Sequence, residues 1–289
     1  MSRPEHLMPP ECFYNDTEAV KYTNCTRIIT VQAAMTERCL ELIGVKLRNE
    51  NDDEDLSDPV EPLFILDVGC GSGLSGEIVS DNGHYWWGID ISPSMLDVAL
   101  QRDSEGELML SDMGQGFNFI PGFFDAAISV SALQWLCNAD KKIHEPWKRL
   151  LCFFDSLRKS LKIGGKAAIQ LYPENSEQLE MISNAAIKSG FAGGIYVDYP
   201  NSASAKKYYL VLSTAMEGKL GVVVINGKTD EEERCEKAKK KIKKNKKRNG
   251  HFDFKSKLWV YEKKERQRIQ GKEVRIDTKY TGRKRKPHF

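Results

Sequence analysis

The stretch ILDVGCGSGLSGE, Ile65 to Glu77, decides the fold. An apolar run with β-branched residues breaks into glycines, and helix-forming spacing then resumes. That is the pattern of a buried strand, a tight turn and a helix. The glycines can be read in two phases. Gly71, Gly73 and Gly76 spell the G-x-G-x-x-G of a pyrophosphate-binding turn, whereas Gly69, Gly71 and Gly73 spell G-x-G-x-G. Either phase lets a ligand approach the backbone closely, so the turn alone does not choose the ligand.

The same rhythm continues on both sides of the turn. From Leu63, short apolar runs alternate with helical stretches, which predicts βαβ units and an α/β, Rossmann-like, doubly wound and mostly parallel sheet. FILDVG is the first strand, YWWGIDIS the second, GELMLSDM a short third, FDAAISVSALQWL the fourth and KAAIQLY the fifth. IYVDYP and KKYYLVLS form a final pair, and HEPWKRLLCFFDSLRKSLKIGG reads as one long helix closed by Gly-Gly. Before the sheet, an amphipathic helix is expected over Thr26 to Val45. The segment Asn49 to Pro62, with seven acidic residues and two prolines, is expected to be a solvent loop. GKLGVVVINGK, after Thr214, reads as a stray hairpin or a linker. These readings divide the chain into 1–62 (N-terminal segment, helix and acidic loop), 63–214 (the α/β domain) and 215–289 (a basic extension).

Charge separates the two glycine readings. Asp67 stands two residues before Gly69, Asp90 ends the second strand and Asp112 follows the third. A pyrophosphate brought to this turn meets three carboxylates, a repulsion on the order of 1 kcal/mol each in a partly shielded site. S-adenosylmethionine carries no phosphate; its sulfonium and ammonium are attracted by the same groups. Asp90 lies 19 residues after Gly71, close to the spacing of about 20 at which an acid reaches a ribose diol. Asp112 is then placed to accept from the adenine amine, with Met113 covering a ring face. The expected donor-binding set is Asp67, Gly69, Cys70, Gly71, Gly73, Asp90, Ile91, Asp112, Met113 and Ser129. Each aspartate has a plainer reading as a turn cap; the joint pattern carries the assignment.

The net charge of +2 conceals an asymmetry. From Arg234 onward there are 23 Lys or Arg against 6 Asp or Glu, and before it 20 against 35. An acidic body with a basic tail points to a polyanion such as RNA, through counterion release, or to nuclear import. Seven scattered cysteines without a C-x-x-C pair predict no metal site and a reducing compartment. No apolar run approaches the roughly 20 residues that span a bilayer, and MSRPEHLMPPECFYND carries no apolar signal core.

LDVGCGSGLSGE and GIDISPSML resemble the class I S-adenosylmethionine-dependent methyltransferases. The resemblance narrows with MSRPEHLMPPECFYND, FDAAISVSALQWLCNAD, GFAGG, KKYYLVLS and YTGRKRKPHF, which look like the eukaryotic small-subunit ribosomal RNA (guanine-N7) methyltransferase family. It covers both ends and nearly everything between, while the acidic loop and GKLGVVVINGK look like departures. The resemblance implies methylation of a guanine N7 during ribosome biogenesis, and a nuclear or nucleolar location with the cytoplasm as a second one. It also implies a lid formed by Tyr14 and Tyr22, and a small zinc-containing activating subunit that pairs with the edge strand Glu107 to Leu110.

The catalytic end is compatible with that substrate. SVSALQW after the fourth strand holds neither an N-P-P-Y segment for amine methylation nor a cysteine nucleophile for cytosine C5. Guanine N7 has a free in-plane lone pair, so no general base is required and the catalytic residues stay unknown. Gln134 and Trp135 are the candidates for positioning the base, and Arg27 for meeting a phosphate or the donor carboxylate. Two other readings stay open from sequence: a mainly non-catalytic assembly factor, and a small-molecule or protein methyltransferase with a basic import tail.

Overall fold

The computed structural model describes residues 3–47, 61–139, 144–202, 205–215 and 222–229, together with Lys264 and Arg275. The chain divides into two units, 1–229 and 230–289. The acidic loop, except for Glu61 and Pro62, and nearly all of the basic extension lie outside the described residues.

Three helices open the first unit: α1 (Pro10–Phe13), α2 (Asp16–Asn24) and α3 (Thr26–Ile43). Asn15 caps α2, its side chain accepting from the N–H groups of Thr17 and Glu18. Gly44, in the left-handed region, stops α3. The sheet follows, with β1 (Phe64–Val68), α4 (Leu74–Asp81), β2 (Tyr85–Asp90), α5 (Pro93–Gln101), β3 (Glu107–Leu110) and β4 (Phe124–Val130). It is completed by α6 (Pro146–Ser160), β5 (Leu161–Leu171), α7 (Ser176–Lys188), β6 (Ala192–Asp198), β7 (Lys207–Ser213) and β8 (Val222–Asn226).

The strand order is β3-β2-β1-β4-β5-β7-β6-β8. The first five are parallel to their neighbours, and β7 runs antiparallel between β5 and β6. The chain winds outward from β1 to β3 and returns to β4, so β1, β2 and β4 form a topological switch point, where ligands of such sheets bind at the carboxyl ends.

Strand alternation distributes the core to both faces. Leu66 and Val68 pack with Ile89, Phe124, Phe153 and Phe154 beneath α6 and α7, whereas Ile65 packs with Met35, Cys39, Leu40 and Trp86 beneath α3 and α4. Gly76 completes that second face: a Cβ there would lie 2.2 Å from the Trp86 ring. The third glycine of the G-x-G-x-x-G phase therefore serves helix-to-strand packing.

Three elements differ from the sequence expectation. The long helix ends at Ser160, before Gly-Gly, because Leu161 turns to an extended conformation and pairs with Phe124 in the sheet. The fourth strand stops at Val130, and Leu133–Cys137 forms a 3-10 turn after Ser131 adopts φ 59°. Val222–Asn226, expected as hairpin or linker, is a strand running parallel to β6 and extends the sheet past Thr214.

Candidate active site

The glycine turn is held in place by the neighbouring strand. The N–H groups of Gly69 and Cys70 both donate to the Ile89 carbonyl, at 2.8 and 3.1 Å, and Gly71 N–H donates to Asp90 Oδ2 at 2.8 Å. Gly69, Gly71 and Gly73 all have positive φ, a conformation that is cheap only for glycine. Gly69 also meets a steric limit, since a Cβ there would lie 2.3 Å from the Ala132 Cβ.

Above this turn opens a cleft. Its wall includes the expected residues Tyr14, Tyr22, Gly69, Cys70, Gly71, Asp90, Ile91, Asp112, Met113 and Trp135. Five expected residues are not on it. Gly73 starts α4. Ser129 is buried, its hydroxyl donating to the Val68 carbonyl at 2.7 Å. Gln134 is buried with its Nε2 donating to the Ser131 carbonyl at 2.8 Å, so the amide braces the turn behind Trp135. Asp67 sits behind the glycine turn, fully buried, and accepts from the Ser75 hydroxyl at 2.5 Å. Arg27 is exposed and off the wall.

The electrostatics are also rearranged. Burial pushes the Asp67 carboxyl up to about 7; the Ser75 hydrogen bond opposes the shift and the Asp90 charge adds to it. Its Oδ1 is buried without a partner. Asp90 is likewise raised by burial, against backbone hydrogen bonds that include those from Ser92 and Gly71. Asp112 differs: its Oδ1 accepts from Arg149 Nη2 at 2.7 Å and from Gly114 N–H at 2.9 Å. Arg149, the one cation of the wall among the described residues, is thus spent on Asp112. What remains at the turn is Asp90 with Asp67 behind it and, among the described residues of the wall, no unpaired cation for a pyrophosphate.

The N-terminal helices roof the cleft. The Ser92 hydroxyl donates to the Tyr14 carbonyl at 2.8 Å, the Thr23 and Ser72 hydroxyls meet at 2.7 Å, and Gln32 Nε2 donates to the Tyr22 hydroxyl at 2.5 Å. Arg3 reaches the carbonyls of Tyr172 and Pro173. The Tyr14 ring packs 5.8 Å from Tyr22 and 6.0 Å from Trp135, and Phe13 also lies 6.0 Å from Trp135. Burial raises both tyrosine hydroxyls, that of Tyr22 to about 12. Both are neutral phenols at physiological pH.

Sequence reasoning missed Gln32, Ser72, Ser75, Met95, Ser131 and Arg149 on or beside this wall. Ser72 and Ser75 lie inside the glycine stretch itself. Arg149 had one usable signal: it falls four residues before Phe153 on the apolar face of α6, a register where a cation must be paired.

A model described as "Methyltransferase domain" matches residues 66–169, and one described as "Methyltransferase involved in Williams-Beuren syndrome" matches 216–287. The chain is 52% identical to the 18S rRNA (guanine-N(7))-methyltransferase of Mus musculus, over 99% of this chain and 98% of the relative. It is 49% identical to a probable 18S rRNA (guanine-N(7))-methyltransferase of Dictyostelium discoideum, over the whole of both chains. The 18S rRNA (guanine(1575)-N(7))-methyltransferase of Saccharomyces cerevisiae is 48% identical, again over the whole of both.

Proposed function

The chain belongs to the 18S rRNA (guanine-N7)-methyltransferase family, and from that premise we propose how its residues divide the work. The enzyme transfers the methyl group of S-adenosylmethionine to N7 of a guanine in small-subunit ribosomal RNA. The observation that carries the donor assignment is the charge of the cleft: Asp90 on the wall is held by backbone N–H groups and by no cation among the described residues, while Arg149 is neutralised by Asp112. Such a site attracts a sulfonium and an ammonium and offers a phosphate no cation.

In this reading Asp90 accepts from the ribose hydroxyls while holding the turn through Gly71 and Ser92. Asp112 accepts from the adenine amine beside Met113, and Ile91 lines the same end. Gly69, Cys70 and Gly71 would hold the methionine half, with Asp67 buried behind the turn. Tyr14 and Tyr22 close over it.

The chemistry asks little more. The N7 lone pair attacks the methyl carbon in line with the C–S bond; the new N–C bond forms as that bond breaks, and sulfur leaves as a neutral thioether. Positive charge moves from sulfur to the purine, and no proton is transferred at N7. Positioning and exclusion of water are therefore the protein's main contributions. Trp135 and Tyr14, packed together on the cleft wall, would bound the acceptor base, and Gln134 keeps the Ser131 turn in shape.

The basic extension, taken from 215 by sequence and from 230 by the division of the fold, holds RNA phosphates, and its Lys-Arg clusters direct the protein to the nucleus and nucleolus. The second partner is the small zinc-containing activating subunit, which pairs with β3. Two observations support it: β3 lies at the sheet edge, bonded to β2 alone among the described strands, and Leu110 at its end is 58% exposed. Such an edge invites strand addition. Co-expression with the subunit is expected to convert poorly soluble protein to soluble complex; a stable, active protein alone contradicts this partner.

The assigned reaction is tested by incubating the purified enzyme with labelled donor and small-subunit ribosomal RNA, then digesting the product to nucleosides. Label in 7-methylguanosine is expected. Label in any other nucleoside would contradict the acceptor assignment.

A further inference from the structure

Arg149 enters the cleft wall from the first turns of α6 and is 8% exposed. A guanidinium buried on the face that also carries Phe153 is costly unless its partner is fixed. That partner is Asp112, whose Oδ1 receives Arg149 Nη2 at 2.7 Å. Gly114, two residues on, makes room for the pair: a Cβ at Gly114 would lie 2.4 Å from Arg149 Nε and 2.6 Å from Nη2. The Gly114 N–H donates to the same Oδ1 at 2.9 Å. Both strong contacts thus load one carboxylate oxygen. The other, Oδ2, meets only Gln115 Nε2 at 3.3 Å among the described residues and retains most of its accepting capacity.

We propose that Arg149 is a positioning residue for the donor's purine: pressed against Gly114, it occupies Oδ1 and fixes Asp112 so that Oδ2 serves the exocyclic amine, which sets a preference for a 6-amino purine. This rests on the assignment of Asp112 to the adenine amine made above. The role is distinct from phosphate or RNA binding, the usual work of an arginine in such an enzyme, and it explains why the residue after Met113 has no side chain.

The test compares binding of S-adenosylhomocysteine with that of its analogue lacking the purine 6-amino group, by calorimetry on the full chain. The unaltered protein is expected to favour the amine by about tenfold or more, the scale on which a site built for a hydrogen bond rejects a ligand lacking it. Arg149→Met is expected to reduce that preference to about threefold or less while binding of the 6-deamino analogue changes little. Arg149→Lys is expected to restore part of it. Gly114→Ala keeps every charge but displaces the guanidinium, and it carries the test should Arg149→Met fail to fold. Full preference retained in Arg149→Met or Gly114→Ala, with preference lost in Asp112→Ala, overturns the role of Arg149 alone. Preference retained in Asp112→Ala overturns the adenine assignment itself.

Discussion

The backbone N–H of Gly71 donates to Asp90 Oδ2 at 2.8 Å, so the carboxylate that ends β2 also fixes the turn that follows β1. Ser92 N–H loads the other oxygen at 2.8 Å. Asp90→Asn replaces one accepting oxygen by a donor and cannot serve both amides. Its expected cost is about 1–3 kcal/mol of stability, read by urea denaturation. Donor affinity is expected to fall by about tenfold or more, read by calorimetry; unchanged affinity would remove Asp90 from the donor site.

Gly69 and Gly76 separate the two glycine phases by experiment. Gly76→Ala drives a methyl into the Trp86 ring and is expected to cost about 1–3 kcal/mol of stability, with donor affinity unchanged in the protein that folds. Gly69→Ala meets the Ala132 methyl at a left-handed backbone position on the cleft wall and is expected to lose donor binding as well. Equal loss of affinity in both variants would mean that Gly76 touches the ligand.

The roof over the cleft is pinned by short polar contacts together with the packing of Ala19, Tyr14 and Tyr22 against Met95 and Val98. Thr23→Val deletes the hydroxyl that meets Ser72 at 2.7 Å and costs about 0.5–1.5 kcal/mol. It is expected to raise the Michaelis constant for the donor more than it lowers turnover, and to speed amide exchange in Asp16–Asn24. Protection of that helix identical to the unaltered protein would contradict a roof held from Ser72.

Asp67 predicts a pH dependence. Its carboxyl is raised from the ordinary 3.8 to about 7 by burial, so between these values the folded protein holds a proton that the unfolded chain has released. Its contribution to stability is fully present below about pH 4 and is lost as pH rises toward 7, by on the order of a few kcal/mol. Asp67→Asn cannot ionise. Its melting temperature relative to the unaltered protein is expected to rise between pH 5 and pH 8, and a constant difference would contradict a raised Asp67.

The glycine turn, the acid at the end of β2 and the strand rhythm were legible because each is a local pattern with a fixed period or spacing. The orientation of Asp67 was not. Strand alternation tells that one neighbour faces the other way, but whether a carboxylate at the strand end looks into the cleft depends on Ser75, which approaches from α4. Arg149 acts across 37 residues of sequence, and Gln32 reaches Tyr22 only because two helices fold back together. The sequence argument counted three carboxylates; the fold neutralises one with Arg149 and hides another, yet the sign of the cleft, and so the choice of ligand, stays the same. β8 was hidden for a related reason: a valine-rich run announces a strand, but its partner β6 is fixed by tertiary contact alone.

The central claim is tested most directly by mapping 7-methylguanine in 18S ribosomal RNA from cells depleted of this protein and supplied with either the unaltered chain or Asp90→Lys. Depletion is expected to erase one N7-methylguanine signal, the unaltered chain to restore it, and Asp90→Lys to leave it absent. A modification level unchanged by depletion, or fully restored by Asp90→Lys, would contradict the account.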